Sequence, residues 1–329
     1  MPPANGELLS TKIADLRLRI EGTRLEPLLK QLHLDLEGAG LSLFKPGAYL
    51  SDEWGCPAEV PVIGIPFYLA TPELCGLECH FSGIEAESDD EILMYLRHEA
   101  GHAFNYAHKL YKKVEWAKVF GDYARPYKDI YGVVPFSSKV VRHIPGWYAQ
   151  KHPDDDFAET FAVWLTPGSN WKEVYAGTPA LKKLLYVDKI VRQYCHKPIK
   201  VTTLTLDTPV ENMTMTLDSW YATYTRHSHK KTKLNRILNE DLRRAFPDKE
   251  GISAADIIEP ERVAIVFAIN TWTGLERHIL TTLFDDLLSR IKMLELKIEP
   301  DRKAEGLQTF TIMATTLAMN YIGRGKFIE

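Results

Sequence analysis

With 45% hydrophobic and 26% charged residues over 329 positions, the chain is too apolar for a disordered protein and lacks the bias of a coiled coil or fibre. A formal charge of -4 gives no general attraction for phosphate backbones, which weighs against nucleic acid as a main partner. The length exceeds the usual reach of one hydrophobic core, so the expectation is a larger first domain over residues 1–205 and a mostly helical second domain over 206–329.

The opening residues, Met1 to Glu7, carry neither the basic nor the apolar stretch of a secretory signal, and no run approaches the roughly 18 apolar residues of a membrane helix. A soluble, cytoplasmic protein with no membrane partner is expected. Cys56, Cys75, Cys79 and Cys195 are too few and too scattered to staple the fold, so they read as reduced, buried thiols. Cys75, Cys79 and His80 lack the second matching pair that a structural metal needs. Residues 8 to 36 show helical intervals of leucine and isoleucine, an amphipathic helix or helix pair. From Gly38 to Gly83 the pattern changes to strands and turns. Val60 to Tyr68 is β-rich but holds Pro61 and Pro66, each lacking a ladder donor, which predicts an edge strand or a segment lying across an edge; an exposed edge would receive an extended peptide.

Ser88 and Glu91 have the spacing of a capping box and open a helix predicted to run to about Lys113. Within it, His98-Glu99-Ala100-Gly101-His102 is an H-E-x-x-H pattern. Histidines four apart aim both imidazoles at one ion, while the glutamate between them faces the water to be activated. Leu93, Leu96, Ala100, Ala103, Phe104 and Ala107 form an apolar stripe on the opposite side, which places the histidines on the polar face, away from the core.

Zinc needs a third protein ligand from another segment. The best source is a second helix opening at His152-Pro153-Asp154-Asp155-Asp156, with proline at its first position, and ending near Pro167-Gly168. Asp155 and Glu159 share one of its faces, opposite Phe157, Phe161, Trp164 and Leu165. If Asp155 binds the ion, Glu159 is placed to accept the free ring N–H of a ligating histidine; the roles could also be exchanged. Asp154 and Asp156 are assigned to the helix dipole.

Residues 172 to 198 read as helical, as do long segments near 212 to 245 and 272 to 297, and no repeat is present. The basic run Arg226, His227, His229, Lys230, Lys231, Lys233 and Arg236 reads as a solvated helix face rather than a nucleic-acid site.

His98 to Ala103, followed by Asp156-Phe157-Ala158-Glu159-Thr160-Phe161-Ala162-Val163-Trp164-Leu165, resembles the gluzincin metallopeptidases. The likeness is greatest to a bacterial zinc-binding metallopeptidase family with H-E-A-G-H-A and D-F-A-E-T-F-A-V-W-L helices. In the related lethal-factor-like peptidases a ligand glutamate is followed by Ala, an acid and Phe-Ala at offsets that Ala158, Glu159, Phe161 and Ala162 match; Asp155 stands where that glutamate would be. The resemblance covers roughly residues 40 to 190. It implies an α+β, zincin-like domain with a small edge-stranded sheet and an active-site helix, one Zn²⁺ ion, and hydrolysis of a peptide or protein substrate. It also implies Glu99 as general base and Tyr148, seven residues before Asp155, as support for the oxyanion. The alternative is a scaffold that keeps the metal and cleaves nothing.

Overall fold

The computed structural model describes residues 6–82, 86–128, 131–199, 205–228 and 237–328. The chain is mixed and predominantly helical with two small sheets, compatible with an α+β class. It divides into two compact units: Met1–Cys79 with Ala86–Asp129 and Val134–Tyr221, and His80–Glu85 with Ile130–Val133 and Ala222–Glu329. Among the described residues, no helix is long and apolar enough to cross a membrane.

In the first unit the helices are α1 (Gly6–Leu9), α2 (Leu25–Gly38), α4 (Asp89–Ala107), α5 (Val114–Phe120), α6 (Pro153–Leu165), α7 (Trp171–Val174) and α8 (Pro179–Tyr194); α3 (Pro72–Ser82) and α9 (Leu217–Ser228) run across the division, after Cys79 and Tyr221. Strands β1 (Gly47–Ser51) and β2 (Val62–Pro66) pair in parallel, from Gly47 against Val62 to Ser51 against Pro66. The expected edge strand thus begins after Pro61 and ends on Pro66, where a missing donor costs the ladder least. Its far edge is not open. Gly64 exchanges both backbone hydrogen bonds with Gly55 at 2.7 and 3.3 Å, the Val62 N–H is taken by the Val60 carbonyl, and Ile63 and Ile65 are fully buried. The expectation that an extended peptide adds to this edge is therefore overturned: the loop from β1 folds back and covers it.

The capping box forms as predicted, with Glu91 N–H donating to Ser88 Oγ at 3.3 Å and Ser88 N–H donating to Glu91 Oε2 at 3.0 Å. Helix α4 stops earlier than expected, at Ala107. Lys109 turns left-handed (φ 49°) and Leu110–Lys112 closes a 3-10 turn. Likewise residues 172–198 form two helices separated by Gly177 (φ 73°) and the proline that starts α8.

The core of this unit centres on the crossing of α4 and α6. Phe104 stacks on Phe161 at 5.2 Å and meets Phe44 edge-on at 5.1 Å, while Phe157 packs edge-on against Phe120 at 5.3 Å. Rings in these offset and T-shaped arrangements add to what their burial contributes. At the crossing itself the two backbones touch. A Cβ on Gly101 would lie 2.7 Å from Ala158 Cα and 2.9 Å from Ala158 O.

The cysteines are free, but Cys79 is exposed and the others are only partly buried, which corrects the expectation of buried thiols. His80 is exposed as well. In the second unit, α10 (Ile237–Ala245), α11 (Ala254–Ile258), α12 (Arg262–Thr273), α13 (Arg277–Met293) and α14 (Lys303–Arg324) enclose a core that includes Leu242, Leu283, Leu287, Ile291 and the edge-on pair Phe284–Phe310 at 5.2 Å. Strands β3 (Ile252–Ser253) and β4 (Lys297–Ile298) pair antiparallel beside it. The side chains of the basic run from Arg226 to Arg236 lie outside the described residues.

The backbone contact at Gly101 yields a prediction with a diagnostic sign. In an unobstructed helix, Gly→Ala stabilises by about 1 kcal/mol. Here Gly101→Ala is expected to destabilise by about 1–3 kcal/mol through overpacking. Thermal unfolding checks it, and a raised Tm in the variant would show that the helices do not meet at this residue.

Candidate metal centre

Helix α4 carries His98, Glu99 and His102, and α6 carries Asp155 and Glu159; all five are buried. The histidines therefore do not face away from the core, as their position on the polar face of the helical wheel led one to expect. The polar faces of α4 and α6 pack against each other and make a polar interior.

Four residues apart on α4, His98 Nε2 and His102 Nε2 stand 3.2 Å from each other. Asp155 Oδ1 lies 3.9 Å from the first and 3.6 Å from the second. These are the ligand-type atoms of one metal-competent group, the only such group among the described residues. The donor set fits zinc. Ligand atoms about 2.0–2.1 Å from one ion stand about 3.3–3.4 Å apart at tetrahedral angles, close to the separations present, and two imidazole nitrogens with a carboxylate oxygen are ordinary zinc donors. Two ring lone pairs turned toward one another repel unless a cation or proton lies between them. Asp155 Oδ2 and Glu99 Oε2 are buried without a hydrogen-bond partner, a costly arrangement that a cation offsets.

The outer partners are equally definite. His98 Nδ1 donates to Glu159 Oε1 at 2.9 Å. The Glu159 carboxylate also accepts the backbone N–H groups of His143 (2.9 Å) and Ile144 (3.1 Å to Oε2). Of the two arrangements the spacing leaves open, the geometry is the one with Asp155 at the Nε2 atoms and Glu159 behind His98. Asp154, assigned to the helix dipole by sequence, is fully buried. It accepts from Asn105 Nδ2 at 2.6 Å and from Tyr106 Oη at 2.5 Å, and its Oδ2 lies 3.1 Å from His102 Nδ1, off the line of a hydrogen bond. Asp156, given the same assignment, forms a largely buried ion pair with Lys183 of α8 at 2.5 Å. The signal available for Asp154 was the pair Asn105-Tyr106, polar groups one turn beyond His102 in an apolar stretch.

Electrostatics divides the groups. Burial, reinforced by His102, pushes the His98 imidazole down to about 3, so it presents a lone pair at neutral pH. Burial also pulls His102 down, but the Asp154 carboxylate beside its Nδ1, and then Asp155 and Glu99, outweigh it and hold His102 well above its ordinary value. Burial raises Glu99 to about 7 against the opposing pull of His102. It raises Glu159 to about 7 as well, despite His143 and the two backbone donors. For Asp154, burial is outweighed by His102, Tyr106 and Asn105, and the carboxyl sits below its usual range.

Tyr148 opens a 3-10 turn, Tyr148–Gln150, just before α6. Its ring lies edge-on to His98 at 5.5 Å, and Lys151 Nζ donates to its hydroxyl at 3.4 Å. His98, His102 and Asp155 thus converge in one cluster, and Glu159 and Tyr148 flank His98.

No curated protein and no solved structure matches the chain. The family model described as "Putative zinc-binding metallo-peptidase" matches residues 86–222, the stretch that contains both helices of this centre.

Proposed function

We propose that the chain is a zinc-dependent peptidase of zincin-like design, in which His98, His102 and Asp155 hold one zinc ion and Glu99 is the general base. The observation that carries this reading is the convergence of the two Nε2 atoms and Asp155 Oδ1, with the Glu99 carboxylate buried between the two histidines in sequence and lacking a partner for one oxygen. The family match over the same stretch supports it.

When bound, zinc supplies Lewis acidity, which acidifies water and polarises a carbonyl. The residues of the chain do the rest. Glu99, raised toward neutrality by burial, is matched to take a proton from the attacking water and return it to the leaving amine as the C–N bond breaks. Glu159 fixes the ring of His98 through Nδ1, so that Nε2 keeps its lone pair for the ion. Asp154 constrains His102 from the opposite side. The Tyr148 hydroxyl, with Lys151 donating to it, donates onward to the oxyanion, a role typically worth a few kcal/mol.

Glu99→Gln is expected to retain zinc while losing about 10²–10⁴-fold in hydrolysis of denatured casein or a peptide library. Wild-type turnover in that variant would remove Glu99 from the mechanism, and a zinc-loaded wild type that cleaves nothing would leave a scaffold.

The two acids of α6 separate in a chelator competition. Glu159→Gln is expected to weaken zinc binding about 10–100-fold, the usual effect of losing a partner behind a ligand. Asp155→Ala removes a ligand and is expected to weaken it more. Full metal retention in Asp155→Ala would defeat the assignment.

A further inference from the structure

Between α5 and Tyr148 the chain is held at three points, Arg125 with Tyr127, Val134, and Phe136, against the stretch from Trp147 to His152. Arg125 donates through Nη2 to the Lys151 carbonyl at 2.7 Å and accepts at its own carbonyl from His152 Nε2 at 2.6 Å, and Tyr127 stacks flat on His152 at 3.9 Å. Val134 is held at both backbone atoms by one side chain, its N–H donating to Gln150 Oε1 at 2.9 Å and its carbonyl accepting from Gln150 Nε2 at 3.0 Å. Phe136 meets the buried ring of Trp147 edge-on at 5.2 Å.

Each of these fixed points presents an apolar group to solvent: Tyr127 is 52% exposed, Val134 62% and Phe136 75%. Phe136 also has a left-handed backbone (φ 57°), a conformation that bulky residues avoid and that persists only where its surroundings impose it. A large aromatic held outward in a strained conformation against Trp147, with two further exposed apolar residues fixed to Gln150 and His152 on the same short stretch whose Tyr148 meets His98, is a binding surface rather than scattered exposure. We infer that Tyr127, Val134 and Phe136 form the rim that receives substrate side chains beside the metal centre, and that the preferred substrate is an extended peptide with an aromatic or large aliphatic residue next to the scissile bond. The occupant follows from position. The Tyr148–Gln150 turn touches both the rim, through Gln150, and His98, through Tyr148, so a peptide whose carbonyl is at the centre has its neighbouring side chain at the rim.

This inference rests on the peptidase reading for its chemistry but not for its test, which measures binding. The full-length, zinc-loaded Glu99→Gln chain is titrated, by fluorescence anisotropy, into a labelled Gly/Ser/Thr host peptide with a single central Phe, Leu, Ser or Asp. The Phe and Leu peptides are expected to bind at least about tenfold more tightly than the Ser peptide, the effect of burying one such side chain. Adding Phe136→Asn, which tolerates the left-handed backbone, together with Val134→Thr, which keeps the shape, is expected to shrink that preference to within about twofold at unchanged Tm. An undiminished preference in the triple variant, equal affinity for all four peptides, or no binding to any of them would each overturn the rim. Wild-type digestion of the same peptides separates the two readings. Phe-selective binding without cleavage leaves the rim standing and ends the peptidase reading, whereas cleavage with no preference ends the rim alone.

Discussion

The backbone contact between Gly101 and Ala158 is the constraint on which the rest of the site depends. Two helices that pack through side chains stand about 8–10 Å apart. Here a glycine with no Cβ and an alanine let the chains touch. Within one turn of that contact, on either helix, stand the groups whose ligand atoms converge: His98 and His102 around Gly101, Asp155 before Ala158. The two unspecified positions of the H-E-x-x-H pattern, Ala100 and Gly101, thus fix the distance across which the specified ones act.

That closeness also explains how so much charge is held inside. Glu99, Asp154, Asp155, Asp156 and Glu159 are all buried. Isolated ions at such positions would each cost several kcal/mol. Most are matched: Glu159 has three donors, Asp154 has Asn105 and Tyr106, and Asp156 has Lys183. Asp155 and Glu99 each keep an oxygen without a partner. Asp156 keeps one as well, beside the oxygen that meets Lys183; on Asp155 and Glu99 the unmatched oxygens belong to the groups proposed for the metal and for proton transfer.

Much of this was legible in the sequence, and the gaps have physical reasons. The start of α4 and the proline at the first position of α6 are local signals and could be read. The end of α4 could not, because no glycine marks it. Lys109 turns left-handed, and the following turn is held by Asn105 Oδ1 accepting the Tyr111 N–H at 2.9 Å, while the same Asn105 is tied to Asp154 forty-nine residues away. The helical wheel identified the polar faces of both helices, yet burial depends on what faces them, and two polar faces that meet become interior. Asp154 and Asp156 had a sufficient local explanation in the helix dipole, which hid Asn105 and Tyr106 behind the first and Lys183 behind the second. Val60 to Tyr68 was read correctly as a strand of limited pairing, but a single strand's pattern does not reveal that the preceding loop returns to cover it.

The cover over β2 has a consequence for solubility and for recognition alike. Along that margin Val62 and Gly64 have spent their amide hydrogens and Pro66 has none to offer. A neighbouring molecule arriving there in an extended form finds no ladder to continue, so the β2 side of the parallel pair is closed to fibril-like growth. For the same reason, a bound polypeptide cannot be measured out by its main chain at this strand, and discrimination between sequences falls to the side chains it displays.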